Sequence, residues 1–115
     1  MCISHYLNEG SKLYIDALER LKRKIQTKYS GIPSALELER TIDIYISEEQ
    51  RKQQKGLEII ASVSDPTARD LLLYRYRDAL PWETIAVKMM YSNKYIFVLH
   101  KKALEQFDAA EAIAV

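Results

Sequence analysis

The feature that most constrains this chain is an apolar spacing of three and four residues that recurs nearly from end to end. Leu7, Tyr14, Leu18, Leu21 and Ile25 keep mostly to that spacing, with Leu13 and Ala17 beside them. Such a period puts apolar side chains on one face of a helix, whereas a strand would alternate every second residue. Little interrupts it. Three Gly and three Pro in 115 residues leave long stretches with neither, and Ala, Leu, Ile, Glu, Lys and Gln are plentiful. That balance favours helix over sheet, so the sequence predicts an all-α protein.

The first helix either begins after Gly10, with Ser11 as its cap, or begins earlier and tolerates the glycine. Its outer face carries Arg20, Lys22, Arg23, Lys24 and Lys28, which read as a solvated face. Gly31-Ile32-Pro33-Ser34 ends it. A second long helix should start at Pro33 or Ser34 and run to about Val63. Its apolar positions are Leu36, Leu38, Ile42, Tyr45 and Ile46, then Leu57, Ile59, Ile60 and Val63. Between these groups, residues 47–56 are polar on every side, so the helix is solvated there or broken near Ser47 or Gly56. Residues 1–63 therefore read as a long helical hairpin or coiled-coil arm. Its apolar stripe is either internal core or the seam of a homodimer.

Asp65 before Pro66 is a strong helix start, a good N-cap followed by a residue suited to the first helical position. The third helix should reach Arg77, with Ala68, Leu71, Leu72 and Tyr76 on one face. Asp78-Ala79-Leu80-Pro81 ends it. A short fourth helix, Trp82 to Met89 or Met90, turns Ile85, Ala86 and Met89 inward. After the tight connection Met90-Tyr91-Ser92, a fifth helix runs from Asn93 to Phe107 or beyond, with Ile96, Leu99, Ala103, Leu104 and Phe107 inward. A short helix, a turn and a longer helix make a helix-turn-helix unit, here spanning 64–107. Residues 108–115 form an acidic, Ala-rich tail that extends the last helix or frays.

Composition narrows the function by exclusion. No apolar run approaches the length that spans a bilayer, and the N-terminus has neither the basic start nor the apolar stretch of a secretory signal. The single cysteine, Cys2, cannot form an internal disulfide, which fits a cytoplasmic protein. Cys2 with His5 supplies too few ligands for a metal site. There is no Gly-rich phosphate loop, no His-Glu-x-x-His and no Cys-x-x-Cys, so neither an enzyme nor a cofactor is expected. Net charge is only +1, but it is unevenly placed. Residues 65–104 hold seven basic and four acidic side chains, while 105–115 hold three acidic and no basic ones. The basic excess sits on the helix-turn-helix segment, where it would meet phosphates.

Residues 71–107 also carry a resemblance. The chain reads Leu71-Leu72-Leu73-Tyr74-Arg75-Tyr76-Arg77-Asp78, then Ala79-Leu80-Pro81-Trp82-Glu83-Thr84-Ile85-Ala86, then Met89-Met90-Tyr91-Ser92, and finally Leu99-His100-Lys101-Lys102-Ala103-Leu104. This resembles region four of bacterial sigma factors. It is closer still to small phage and prophage proteins of Gram-positive bacteria that carry a sigma-like region four behind a helical arm. The resemblance implies a sequence-specific double-stranded DNA-binding transcriptional regulator, a sigma-like activator of phage or prophage genes. Carried over by position, the recognition surface is Ser92, Asn93, Lys94, Phe97, Val98 and Lys101. Ser92 and the free N–H groups of the first turn would hold a phosphate. Asn93 would read an adenine edge, and Lys94 a guanine or a phosphate. Lys88, Lys101 and Lys102 would position the backbone. Arg75 and Arg77 either lie near the opposite strand or pair with acidic neighbours.

The chain departs from the family pattern at four positions. Sigma factors usually place Arg and Gln where Phe97 and Val98 stand. These two either touch thymine methyls or pack against a protein. The second option leaves an alternative function: an interaction module that keeps the sigma-like fold and binds RNA polymerase or another regulator. Pro81 replaces the usual Ser cap, and Ala79 a common Gly. Of the remaining residues, Trp82 reads as a core brace and His100 as a packed or capping histidine. Tyr74, Tyr76, Tyr91 and Tyr95 read as core and rim positions, and Met89-Met90 as core filling.

Overall fold

A computed structural model describes residues 3–114, and those residues are almost wholly helical with no strand among them. A short 3-10 turn, Ile3–His5, is followed by α1 (Glu9–Lys28), α2 (Pro33–Ala61) and α3 (Pro66–Leu72). Next come a π-helical turn (Leu73–Arg77), α4 (Trp82–Met89) and α5 (Asn93–Ala114). None of the helices is long and apolar enough to cross a membrane, and no group of three or more His, Cys, Asp and Glu among the described residues is arranged to hold a metal. The Cys2 position considered above lies outside the described residues.

Several local expectations resolve. α1 begins at Glu9 and takes Gly10 into its first turn. The chain leaves α1 through Gly31, whose φ of +84° is a conformation glycine adopts at little cost. Pro33 then opens α2, where its missing N–H costs nothing. α2 runs unbroken through the polar stretch, past both Ser47 and Gly56. Gly56 serves close approach instead: a Cβ there would lie 2.7 Å from the Tyr6 Cβ and 2.9 Å from Leu7 Cγ and Cδ1.

The contacts divide the chain inside α2, earlier than the boundary at residue 63 that periodicity suggests. One compact unit is Glu9–Lys52. The other joins the described residues up to Asn8 with those from Gln53 onward. In the first unit only Ser11, Ile25 and Ile42 are buried. Two contacts link α1 to α2 in antiparallel order: the Ser11 hydroxyl donates to Glu49, and the Lys22 ammonium donates to Asp43 at 2.7 Å. Of the predicted stripe, Ile25 and Ile42 are buried and Leu18 and Ile46 half-buried, while Leu13, Tyr14, Leu21, Leu36, Leu38 and Tyr45 are exposed.

The second unit has a dense core. Ile59, Ile60, Leu71, Leu72, Ile85, Ile96 and Phe107 are all fully enclosed. Burial of α2's last turns among these residues explains why its C-terminal end groups with α3 to α5. α3 starts as its sequence requires: the Asp65 carboxylate accepts the Thr67 N–H at 3.0 Å, with Pro66 in the first position. It does not stay α-helical to Arg77. From Leu73 the turn widens, and the Asp78 N–H reaches back five residues to the Leu73 carbonyl at 3.0 Å. α5 continues through the predicted tail to Ala114. Glu111, on that tail, is buried, and its carboxylate accepts a hydrogen bond from the Tyr6 hydroxyl. That bond holds Glu111 below the usual carboxylate range and raises the Tyr6 phenol.

Candidate nucleic-acid interface

The junction between α4 and α5 is built from local hydrogen bonds. α4 starts after Pro81 in an extended conformation, with no side-chain cap, as expected where proline replaces serine. It ends at Met90, which adopts the left-handed conformation at φ +61° and ψ +39°. The Met90 N–H donates to the Val87 carbonyl at 3.2 Å and the Tyr91 N–H to the Ala86 carbonyl at 3.0 Å, which satisfies two of the carbonyls in the last turn of the helix. Ser92 then caps α5, its hydroxyl oxygen accepting the Tyr95 N–H at 3.1 Å. Ile85 and Ala86 of α4 and Ile96 of α5 are buried together, so the core holds the first turns of α5 beside α4. The small Ala86 side chain allows that close approach.

These constraints set which residues face outward. Ile96, Ala103, Phe107 and Glu111 mark the inner face of α5. At about 100° per residue, Lys94, Val98 and Lys101 fall opposite them, in a line spaced by four and three. Asn93, Lys94, Val98, Lys101 and Lys102 are all exposed, as are Ser92 before them and Lys88 on α4. Phe97 and Val98, equivalent on paper, are not equivalent here. The Phe97 ring sits on one edge of the face, 5.5 Å from the Trp82 indole, and remains 54% exposed. Val98 lies mid-face and is 45% exposed. On the other edge, Tyr95 meets Tyr91 ring to ring at 5.1 Å.

Among the described residues, none of Lys88, Lys94, Lys101 and Lys102 is held in an ion pair. The Lys88 ammonium lies 5.9 Å from the Tyr74 ring centre. The expected phosphate seat needs one revision. The Tyr95 N–H is committed to Ser92, so a ligand at this end would meet the Asn93 and Lys94 N–H groups and the Ser92 hydroxyl proton. Met90 is a correction too. Read from sequence as core filling, it is 90% exposed, because the left-handed turn aims it outward, while Met89 is half-buried.

Behind α5 stands a cluster that spacing alone does not reveal. The π-helical turn brings the Tyr76 hydroxyl within 2.9 Å of His100 Nε2. The Trp82 ring lies 4.5 Å from the His100 ring, and the Arg75 guanidinium lies 4.6 Å from the Trp82 ring centre. Arg75 also donates to the Leu80 carbonyl at 3.0 Å. Burial, then the nearby Arg75 charge, lowers the His100 pKa from its ordinary 6.5, so the imidazole is neutral near pH 7. Arg77 forks onto Asp78 at 2.9 and 3.1 Å, which lowers the Asp78 pKa. Arg77 thus pairs with an acidic neighbour, and Arg75 rests on an indole and donates to a carbonyl. Trp82 packs against the core as the brace the sequence suggested, and His100 is a packed histidine, as one of its two readings had it. The partners of His100 went unforeseen because they depend on a π turn that carries no clear sequence mark. No protein-family model matches the chain, and neither does any curated protein or solved structure.

Proposed function

We propose that this protein is a sequence-specific, double-stranded DNA-binding regulator of transcription. In this reading residues 9–52 form a helical hairpin arm, and α4, its turn and α5 form a sigma-region-four-like helix-turn-helix. The protein works in the cytoplasm as a sigma-like activator of phage or prophage genes, next to RNA polymerase. One observation carries the reading: the exposed first turns of α5 present Asn93, Lys94 and Lys101, with Lys88 and Lys102 beside them and no carboxylate before Glu105. The mechanism follows from these groups. α5 enters the major groove by its N-terminal half, braced from behind by Trp82 and His100. Asn93 pairs with an adenine edge, and Lys94 with guanine or a phosphate. Lys88, Lys101 and Lys102 meet phosphates, and each such contact adds about 0.9 to the slope of log affinity against log salt. The exposed apolar face of the arm supports a homodimer, which would offer two recognition helices to paired half-sites.

The test is retention of labelled genomic fragments at two salt concentrations. The wild-type chain should hold a subset of fragments with steep salt dependence. Asn93→Ala with Lys94→Ala should lose them while keeping its helical circular dichroism. Unchanged retention by that double variant would remove the site assignment. A second reading, an interaction module that binds RNA polymerase or another protein, is favoured by the exposure of Val87, Met90 and Phe97. It would be supported by absence of DNA retention together with a polymerase complex that Phe97→Asp plus Val98→Asp disrupts.

A further inference from the structure

The middle of the exposed α5 face has an unusual chemistry for a groove-reading helix. Its central side chain, Val98, has neither donor nor acceptor. Lys94 lies four residues before it and Lys101 three after, so the valine is framed by two ammonium groups on the same face. Among the described residues neither lysine is held in an ion pair.

The frame decides what the valine is for. Lysine is depleted from the buried centres of protein interfaces, so a valine framed by two lysines is poorly placed to seat a protein partner. Two unpaired cations complement a phosphate backbone instead. Once α5 lies in a major groove, the base edges opposite Val98 offer donors, acceptors and one apolar group, the C5-methyl of thymine. Against guanine N7 and O6, or the cytosine amino group, the valine would strip water and return no hydrogen bond. Against the methyl it buries apolar surface on both partners. Phe97 is less suited to the role, since one side of its ring already leans on Trp82.

We propose that Val98 reads a thymine methyl, so that the recognised duplex carries thymine opposite the middle of α5 and discriminates there by apolar contact. This inference rests on the DNA-binding reading above. Lys94 and Lys101 flank it in the groove, and the valine adds a base preference at the middle of the helix to any read by Asn93 and Lys94.

The experiment separates the two layers. The full chain is used to enrich a duplex from a random-sequence pool. That duplex is then remade with deoxyuridine replacing thymidine one position at a time, which removes a methyl and leaves the pairing intact. Wild-type protein should bind one substituted duplex more weakly, by about fourfold for a single buried methyl. Val98→Ala should weaken binding to the thymine duplex and treat the two duplexes alike. Equal wild-type affinity for all substituted duplexes would overturn the methyl reading and leave DNA binding standing. A uracil penalty that persists in Val98→Ala would overturn the assignment to Val98. Failure to enrich any duplex would overturn both layers.

Discussion

The unit of residues 9–52 and the unit that carries α3 to α5 draw on the same helical alphabet and put it to different use. The second unit closes a core in which Phe107, Ile60, Leu71 and Ile96 are wholly enclosed. The first buries only Ile25, Ile42 and Ser11, and leaves Leu13 71% exposed. Their left-handed turns differ in the opposite sense. The 9–52 unit spends a glycine, Gly31, where φ is positive, while the other unit places Ala79 at +54° and Met90 at +61°. A well-filled core can hold strained turns that side chains rarely adopt, because the surrounding packing over-determines them. A thin helical pair cannot, and it keeps the residue that fits.

The largest expected effect tests that contrast directly. Phe107→Ala should cost about 3–5 kcal/mol in urea unfolding, through lost burial and the cavity left behind. At concentrations where sedimentation shows a monomer, Leu13→Ala should stay within about 0.5 kcal/mol, as surface substitutions do. A cost as large as that of Phe107→Ala in the monomer would break the contrast, whereas a cost that appears only as the chain dimerises would report the proposed homodimer face of the arm. The turns come next. Ala79→Gly should stabilise by about 0.5–1 kcal/mol, the relief of left-handed strain less the added chain entropy. Gly31→Ala should destabilise by about 1 kcal/mol for the same reason reversed. Thermal melts of the two variants moving in the same direction would break the comparison. The smallest effect concerns pH. His100 is lowered in the folded chain, so the unfolded state takes up its proton first as pH falls. The stability tied to the neutral imidazole is complete above pH 6.5 and declines as pH drops toward the lower folded value. His100→Gln should flatten that part of the profile, read as midpoint against pH between about 7.5 and 5.

Much of the helical framework was legible because the codes involved are local. Asp65-Pro66 marked the start of α3 by capping chemistry, and Ser92 marked α5 in the same way. The candidates Asn93, Lys94, Lys101 and Lys102 were carried over from the resemblance; an inward face of Ile96, Ala103 and Phe107 accounts for the exposure of Lys94 and Lys101, which lie opposite it. One further residue was within reach. Glu111 stands four residues after Phe107, on the inward face, yet its charge argued for solvent. A tyrosine more than a hundred residues away keeps it buried, and helical period does not report that partner. Gly56 misled for a related reason. It read as a point where α2 could break, whereas it is where the backbone makes room for Tyr6 and Leu7.

By itself, then, the sequence determined the all-α class, most helix ends and the outward residues of α5, because periodicity and caps act within a few residues of chain. Tertiary structure alone decided that α2 is shared between two units, that much of the arm's stripe stays exposed, and that Phe97 leans on Trp82 while Val98 stands clear. It also decided that Tyr76 meets His100 across a π turn. Each of these depends on distant side chains competing for the same buried volume, and that competition is settled only when the chain has packed.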